Sequence, residues 1–282
     1  LTVGKAYTFA IDVDTVGSGT MYFYALGVYT TNPTLTPTGT HSLTVVANAT
    51  SLDFGITAIN GNGAILDNAN LRLAEQDRSV NNNGSQVFGT VTKSAVATGA
   101  ELVSYSGFTA SNYLRYNASD MAFGTGDFSV SVWCIPSTDE SNEFILELDD
   151  ASQGANRFYL LTTATATKKL YTPWSNNIAG SELTPAAWNH VVVGRKSGYG
   201  FVYVNGNNIP AGNIAWTDAL NGNGFGTIGN YSAGPSNDYA WSGSLALLRI
   251  SGSVPSAEQV SKMYHDEKHL FHENAKATLY GS

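Results

Sequence analysis

A single cysteine in 282 residues excludes an intrachain disulfide, so stability in an oxidising environment has to come from sheet packing, metal or association of chains. Cys134 lies in a run in which Phe128, Val130, Val132 and Cys134 alternate with Ser129, Ser131 and Trp133. A period of two puts the thiol on an apolar strand face, and no cationic neighbour is present to activate it. Charge is also scarce, at 13% of residues against a usual quarter or so. The 14 basic residues stand against 22 acidic ones, a net charge of −8 with no basic stripe, which argues against nucleic acid as a partner. No apolar run approaches the ~18 residues that a membrane-spanning helix needs. No signal peptide is visible, and because the chain opens on Leu1, any address is expected upstream of it.

What is abundant is glycine, at 29 residues, with aromatics at 11% and a surface vocabulary of Ser, Thr and Asn, a composition typical of extracellular and virion β-proteins. Residues 1–73 read as short alternating strands. Tyr7, Phe9, Ile11 and Val13 are expected on one face, with Thr8, Ala10 and Asp12 on the other. Leu43 with Val45, and Leu52, Phe54 and Ile56, repeat the pattern between Gly-, Asn- and Pro-rich turns. The stretch ends in Ile65-Leu-Asp-Asn-Ala-Asn-Leu-Arg-Leu73, which resembles the last strand of a carbohydrate-binding jelly roll. Its shortness implies that the first half of that sandwich precedes residue 1.

The strongest local signal is Trp188-Asn-His-Val-Val-Val-Gly-Arg195, a Lys-Ser-Gly-Tyr-Gly turn, and then Phe201-Val-Tyr-Val-Asn-Gly206. It reads as strand, turn, strand and an Asn-Gly reversal. On these residues the chain resembles the laminin-G/concanavalin-A-like family. Asp77-Arg-Ser-Val-Asn-Asn-Asn-Gly84, Tyr105-Ser-Gly-Phe108, Phe123-Gly-Thr-Gly-Asp-Phe-Ser-Val-Ser-Val-Trp133 and Trp241-Ser-Gly-Ser-Leu-Ala-Leu-Leu-Arg-Ile250 are similar to further strands of that family. A helix over Pro255–Tyr264 follows, capped by Ser256, with Val260, Met263 and Tyr264 on one stripe. The resemblance implies an all-β fold: an antiparallel β-sandwich (jelly roll, concanavalin-A-like) over 76–268, with a smaller N-terminal β-sandwich module over 1–73 and a short C-terminal helix. Residues 269–282 are expected to form a linker to a downstream region.

Glycanases of the resembled fold use Glu-x-Asp-x-x-Glu on one strand, where alternation aims both glutamates at one face as nucleophile and acid. Here Glu147-Leu-Asp149-Asp150-Ala-Ser152 ends in a serine, which cannot protonate a leaving sugar oxygen. Glu143 has the right parity but the wrong order. No catalytic residue is therefore assigned. Asp149, Asp150, Asn237 and Asp238 are oxygen donors suited to Ca²⁺, weighed against plain solvated loop acids. His190 reads as an interior, hydrogen-bonded imidazole, whereas His265, His269 and His272 recur at helical spacing.

Sugar binding needs rings on loops with amides beside them. Trp174 with Asn176 and Asn177, Trp216, Tyr231 and Tyr239 have that setting, while Trp133, Trp188 and Trp241 fall at family core positions. Intersubunit packing is an equal use for the loop rings. The order of modules resembles tail or fibre proteins of marine bacteriophages. The expectation is a non-enzymatic lectin-like module of a virion, extracellular, binding host cell-surface polysaccharide and other virion proteins as a homo-oligomer. The alternatives are a purely structural virion subunit and a secreted polysaccharide hydrolase.

Overall fold

A computed structural model of the chain describes residues 1–16, 20–26, 34–35, 39–51, 53–59, 64–75, 84–138, 141–148, 156–165, 167–222, 224–231, 235 and 238–276. The first strands are β1 (Ala6–Val16), β2 (Thr20–Leu26), β3 (Thr34–Leu35), β4 (Gly39–Val46), β5 (Asp53–Ile59) and β6 (Ala64–Glu75). They are followed by β7 (Ser85–Phe88), β8 (Thr92–Ala95), β9 (Val103–Ser106), β10 (Tyr113–Asn117), β11 (Phe128–Ile135), β12 (Glu143–Leu148) and β13 (Phe158–Thr162). The last are β14 (Leu170–Tyr171), β15 (Asn189–Lys196), β16 (Tyr199–Val204), β17 (Asn207–Asn208), β18 (Phe225–Ile228) and β19 (Ser244–Ser251), before the helix α1 (Ala257–Glu267). Among the described residues no helix is long and apolar enough to cross a membrane.

Two antiparallel sheets form the sandwich. One has the order β17-β16-β15-β11-β19-β9-β8; the other runs β14-β13-β12-β18-β10-β7 and continues into β6-β1-β4. Their facing side chains are those that alternation selects: Phe128, Val130, Val132, Cys134, Val191, Val193 and Val202 on one sheet meet Leu114, Leu146, Leu148, Phe158, Leu160 and Ile228 on the other. Cys134 is wholly buried there, and burial pushes its thiol up to about 12. The expected hairpin is present. Ser197 and Gly198 both have positive φ, the two-residue reversal that matches strand twist, and Asn205-Gly206 repeats it between β16 and β17.

Three strands of the first 75 residues, β6, β1 and β4, share a hydrogen-bonded sheet with the sandwich, because Ala74 pairs with Gln86 and Glu75 with Ser85. A separate three-stranded sheet, β3-β2-β5, completes that region. The alternation expected on β1 is present, since its register with β4 runs unbroken from Ala6 to Val13, but both of its faces are covered. Ala6, Thr8 and Ala10 are buried, and beyond them Ile11 and Val13 are. The register between β1 and β6 shifts because an extra residue enters β6 between Asn70 and Asp67, beside Asn68 with φ of 52°.

On the outer face of the other sheet, Trp133 packs against Tyr264 of α1, at 5.7 Å between ring centroids, and Phe271, at 4.4 Å. Ser256 and Gln259 form a reciprocal capping box at the start of α1, and Val260 is its buried residue. The α-helix ends at Glu267 and continues as a 3₁₀ turn over Lys268–Phe271, so His265, His269 and His272 do not share one α-helical face. Beyond it the backbone docks: Asn274 N–H donates to the Thr98 carbonyl and Glu101 N–H to Ala275.

Candidate functional site

The face of the β13-β12-β18-β10 sheet turned away from the sandwich core carries the densest group of polar aromatics. A bulge creates it. Phe144 pairs with Leu161 and Leu146 with Leu160, so Ile145 is an extra residue and both Ile145 and Leu146 enter the core. Phe144 and Glu147 consequently share the other face. Phe144 meets Tyr159 at 6.3 Å, Tyr231 at 5.2 Å and Tyr239 at 5.9 Å, while Tyr231 and Tyr239 lie 5.5 Å apart, edge to face. Tyr171 adds a further ring, 5.7 Å from Tyr159.

At the centre, Arg157 Nη1 donates to Glu147 Oε1 at 3.0 Å. The Glu147 side chain is fully buried and that of Arg157 is 22% exposed. Burial works against the arginine cation, yet Glu147 and a hydrogen-bonded Tyr231 outweigh it and hold the guanidinium above its ordinary value. Arg157 also lies over the rings of Tyr159 and Tyr231, at 4.9 and 5.8 Å. Burial, reinforced by Tyr171, pushes the Tyr159 hydroxyl up to about 12 and keeps it a neutral donor at physiological pH. The face therefore offers ring surface, phenol hydroxyls and one guanidinium edge.

Of the ring residues expected on loops, Tyr239 stands 40% exposed and Tyr231 half-buried beside it. Trp174 and Trp216 are corrected: both belong to the sandwich core, 5.0 Å apart and packed on Phe158. The indole N–H of Trp174 donates to Gly212 O and that of Trp216 to Asp218 Oδ2, so burial leaves neither polar end unpaired. Gly200 makes the fit possible, since a Cβ there would come within 2.2 Å of the Trp174 ring. Asn176 and Asn177 remain exposed on that loop, Asn177 with φ of 54°. They border buried indoles and not a ring platform.

Of the calcium candidates, Asp149, Asp150 and Asn237 lie outside the described residues, as does Ser152, and Asp238 occupies an exposed turn. Among the described residues no three His, Cys, Asp or Glu side chains converge as metal ligands. Glu143 does not share the face of Glu147. The bulge inverts its parity, and it is held inside by Ser137 at 2.9 Å, by Ser242 and by the buried Lys168 at 3.6 Å. His190 is interior as expected, with Nε2 3.1 Å from Ser131 Oγ, and burial lowers it to about 4.

Phe144, Arg157, Tyr159 and Tyr171 were not anticipated. No sequence signal marks them; the register that sets Glu147 opposite Tyr159 emerges only in the fold.

The protein is thus a two-sheet lectin-like sandwich with an aromatic outer face and one ion-paired glutamate on it. Residues 108–261, more than half of the chain, match the laminin-G family described as the concanavalin A-like lectin/glucanases superfamily, and the chain belongs to that family. No curated protein matches it in sequence. Among solved structures, the sialidase of Trypanosoma rangeli, in complex with sialic acid, is similar with a TM-score of 0.52 and 11% identity, over 67% of this chain and 30% of its own. Domain 4 of AbnA, an extracellular arabinanase from Geobacillus stearothermophilus, in complex with arabinotriose, gives 0.48 and 17% identity over 66% of this chain and 91% of its own. The binding domain of botulinum neurotoxin serotype D gives 0.47 and 15%, over 69% and 49%. At these identities the likeness is one of fold.

Proposed function

We propose that this chain is a non-catalytic, lectin-like adhesion module that holds host-surface glycan on the face formed by Tyr231, Tyr239, Tyr159 and Tyr171 over the buried Phe144. The observation that carries the reading is the grouping of these rings around the Arg157–Glu147 pair, with Tyr239 presented to solvent. A pyranose would lay its apolar face on a tyrosine ring while phenol hydroxyls and the Arg157 edge bond its hydroxyls. Glu147 supports the non-catalytic reading, because its carboxylate is buried and spent on Arg157, and Glu143 points to the other side. A retaining hydrolase would need two carboxyl groups about 5 Å apart on one face. The low charge and the Ser, Thr and Asn surface favour an extracellular setting, and we place the module in a virion appendage such as a phage tail fibre, in several copies beside other virion proteins.

A glycan array and whole-cell binding test the reading. Wild-type protein should bind, and Tyr239→Ala and Tyr231→Ala should each weaken binding by about 0.5–1.5 kcal/mol, roughly two- to twelvefold, the exposed Tyr239 with little change in melting temperature. Absence of binding to any glycan or cell, in a protein that forms a stable multimer, would instead assign it a purely architectural role in the particle. Hydrolysis of a polysaccharide that vanishes in Glu147→Gln would overturn the non-catalytic reading.

A further inference from the structure

The same sheet face continues past the tyrosines. Tyr159 pairs with Glu147, Glu147 with Thr227, Thr227 with Arg115, Arg115 with Gln86 and Gln86 with Ala74, a single cross-strand row over six strands. At a strand spacing of about 4.8 Å this row spans roughly 24 Å. Its far end is built differently from its tyrosine end. Arg72 lies 3.9 Å over the Phe88 ring and Arg115 4.9 Å from the same ring, with Phe225 4.2 Å from Arg115. Tyr113 stacks on Phe88 at 4.7 Å, nearly parallel. Two guanidinium groups thus converge on one aromatic rail, and among the described residues neither forms an ion pair with a carboxylate. Burial pushes the Arg115 cation below its ordinary value and the Arg72 charge adds to this, while Tyr113 and Asp12 oppose it. Like charges held together in partial burial are costly unless an anion joins them.

A second feature is independent of the charges. Gln86 is 4% exposed, and its Oε1 lacks a hydrogen-bond partner; so do Asn70 Oδ1 and Arg72 Nε on the same face. Native buried polar atoms are nearly always paired, so three orphans within two residues along β6 and one strand across mark a place where partners are missing. Gln86 and Arg115 line a shallow cleft, shared with Thr8, Ala10, Asn117 and Phe225, with only about 10 Å³ of water-sized space inside it. Arg72, Phe88, Tyr113 and Arg115 each keep part of their surface in solvent. The unpaired set is mixed. Arg72 Nε needs an acceptor, whereas Gln86 Oε1 and Asn70 Oδ1 need donors. A simple oxyanion answers only the first need. A hydroxylated ring that carries a charged group answers both.

We propose that Arg72 and Arg115 hold the carboxylate or sulfate, and Gln86 and Asn70 the hydroxyls, of an acidic sugar residue, which makes the preferred ligand an anionic polysaccharide lying across the sheet. This rests on the glycan-binding reading of the tyrosine end and adds its charge class. The guanidinium forks grip the anion as two-point donors, and Phe88 fixes their planes.

Binding of the full chain to polygalacturonate, dextran sulfate and neutral dextran, by affinity electrophoresis or calorimetry, tests the proposal. Wild-type protein should retain one or both acidic polymers at least tenfold more tightly than dextran, and the preference should fade as salt screens the charges. Arg115→Gln and Arg72→Gln should each remove that preference, whereas Lys196→Gln, an exposed cation on the opposite sheet, should not. The preferred polymer identifies carboxylate or sulfate as the group held.

Because the arginine variants alter packing, competition supplies a measurement on unaltered protein: the free acidic sugar matching the preferred polymer, galacturonate or glucose sulfate, should displace it at lower concentration than the neutral sugar or sodium sulfate. Equal retention of acidic and neutral polymers, equal loss in Lys196→Gln, or competition by sodium sulfate as strong as by the matching acidic sugar would each overturn the proposal. If neutral glycans bind through Tyr239 with no acidic preference, this inference fails and the glycan reading stands. If no polymer of either kind binds, both fall.

Discussion

Removal of Arg195 is the most demanding test of how this fold is held. The residue lies next to the end of β15, its side chain is fully buried, and its guanidinium binds backbone carbonyls alone: Nε and Nη2 donate to Gly126 O at 2.9 and 2.7 Å, Nη2 to Gly124 O at 2.7 Å and Nη1 to Asp218 O. It lies over Trp216 at 4.8 Å and Phe128 at 5.6 Å. Arg195 therefore ties the loop before β11 to the loop that carries Trp216, across the end of the core. In Arg195→Met, Gly124 O keeps the bond from Leu220 N–H, but Gly126 O and Asp218 O lose these donors. Each orphaned acceptor costs about 1–3 kcal/mol, and the lost cation–ring contact about 0.5–2 kcal/mol.

Relief from burying a cation offsets part of this, which leaves a net loss of about 3–5 kcal/mol, the range for breaking a buried charged network. For a chain of this size that corresponds to a fall in melting temperature of roughly 6–20 °C. Urea unfolding followed by tryptophan fluorescence, with Arg195→Met and Arg195→Lys side by side, reads the effect directly. The lysine should recover only a minor part, because one ammonium cannot reach three carbonyls on two loops. A methionine variant that loses less than about 1 kcal/mol, or a lysine variant as stable as wild type, refutes the account of a guanidinium hub.

His190 is held near a pKa of about 4 by burial and by Arg249, below the ~6.5 of an unfolded chain. The unfolded state then binds the extra proton between those values, so stability falls as pH drops from about 6.5 to 4, by on the order of 3 kcal/mol. The acid limb should flatten in His190→Gln when urea midpoints are compared at pH 7, 5.5 and 4, and an unchanged slope counts against it. Cys134 should remain unreactive toward a thiol reagent in native protein and react only in denaturant; stoichiometric labelling of folded protein would contradict its burial. Phe271→Ala should cost about 3–5 kcal/mol, because its ring covers both Trp133 and Trp188, and wild-type stability in that variant would show the contact to be incidental.

What the residues disclosed in advance follows from period and turn chemistry. Phe128, Val130, Val132 and Cys134 alternate without interruption, and Ser197-Gly198 and Asn205-Gly206 demand positive φ, so the central strands and their reversals could be placed from the sequence. Alternation fails where one extra residue enters a strand. Nothing in Glu143-Phe-Ile-Leu-Glu147 announces that Ile145 bulges, yet that residue decides which glutamate faces outward. An extra residue in β6 near Asn68 likewise shifts its register with β1, and nothing in the sequence marks it. Trp174 and Trp216 were misplaced for a different reason. Pro and Asn beside an indole signal a loop, and a loop is read as surface, but these loops fold back over the open end of the sandwich and insert their rings between the sheets. The Arg72–Phe88–Arg115 stack draws on three strands distant in sequence, and only cross-strand pairing brings them together.

The pairing of Ala74 with Gln86 and of Glu75 with Ser85 has a mechanical consequence. Units joined by a flexible tether can each search for their own target, so avidity falls only gradually as target spacing changes. Units joined by a common sheet have no pivot. Copies arranged on one support would engage together when their spacing matched the repeat of the surface beneath them and would lose that advantage abruptly when it did not.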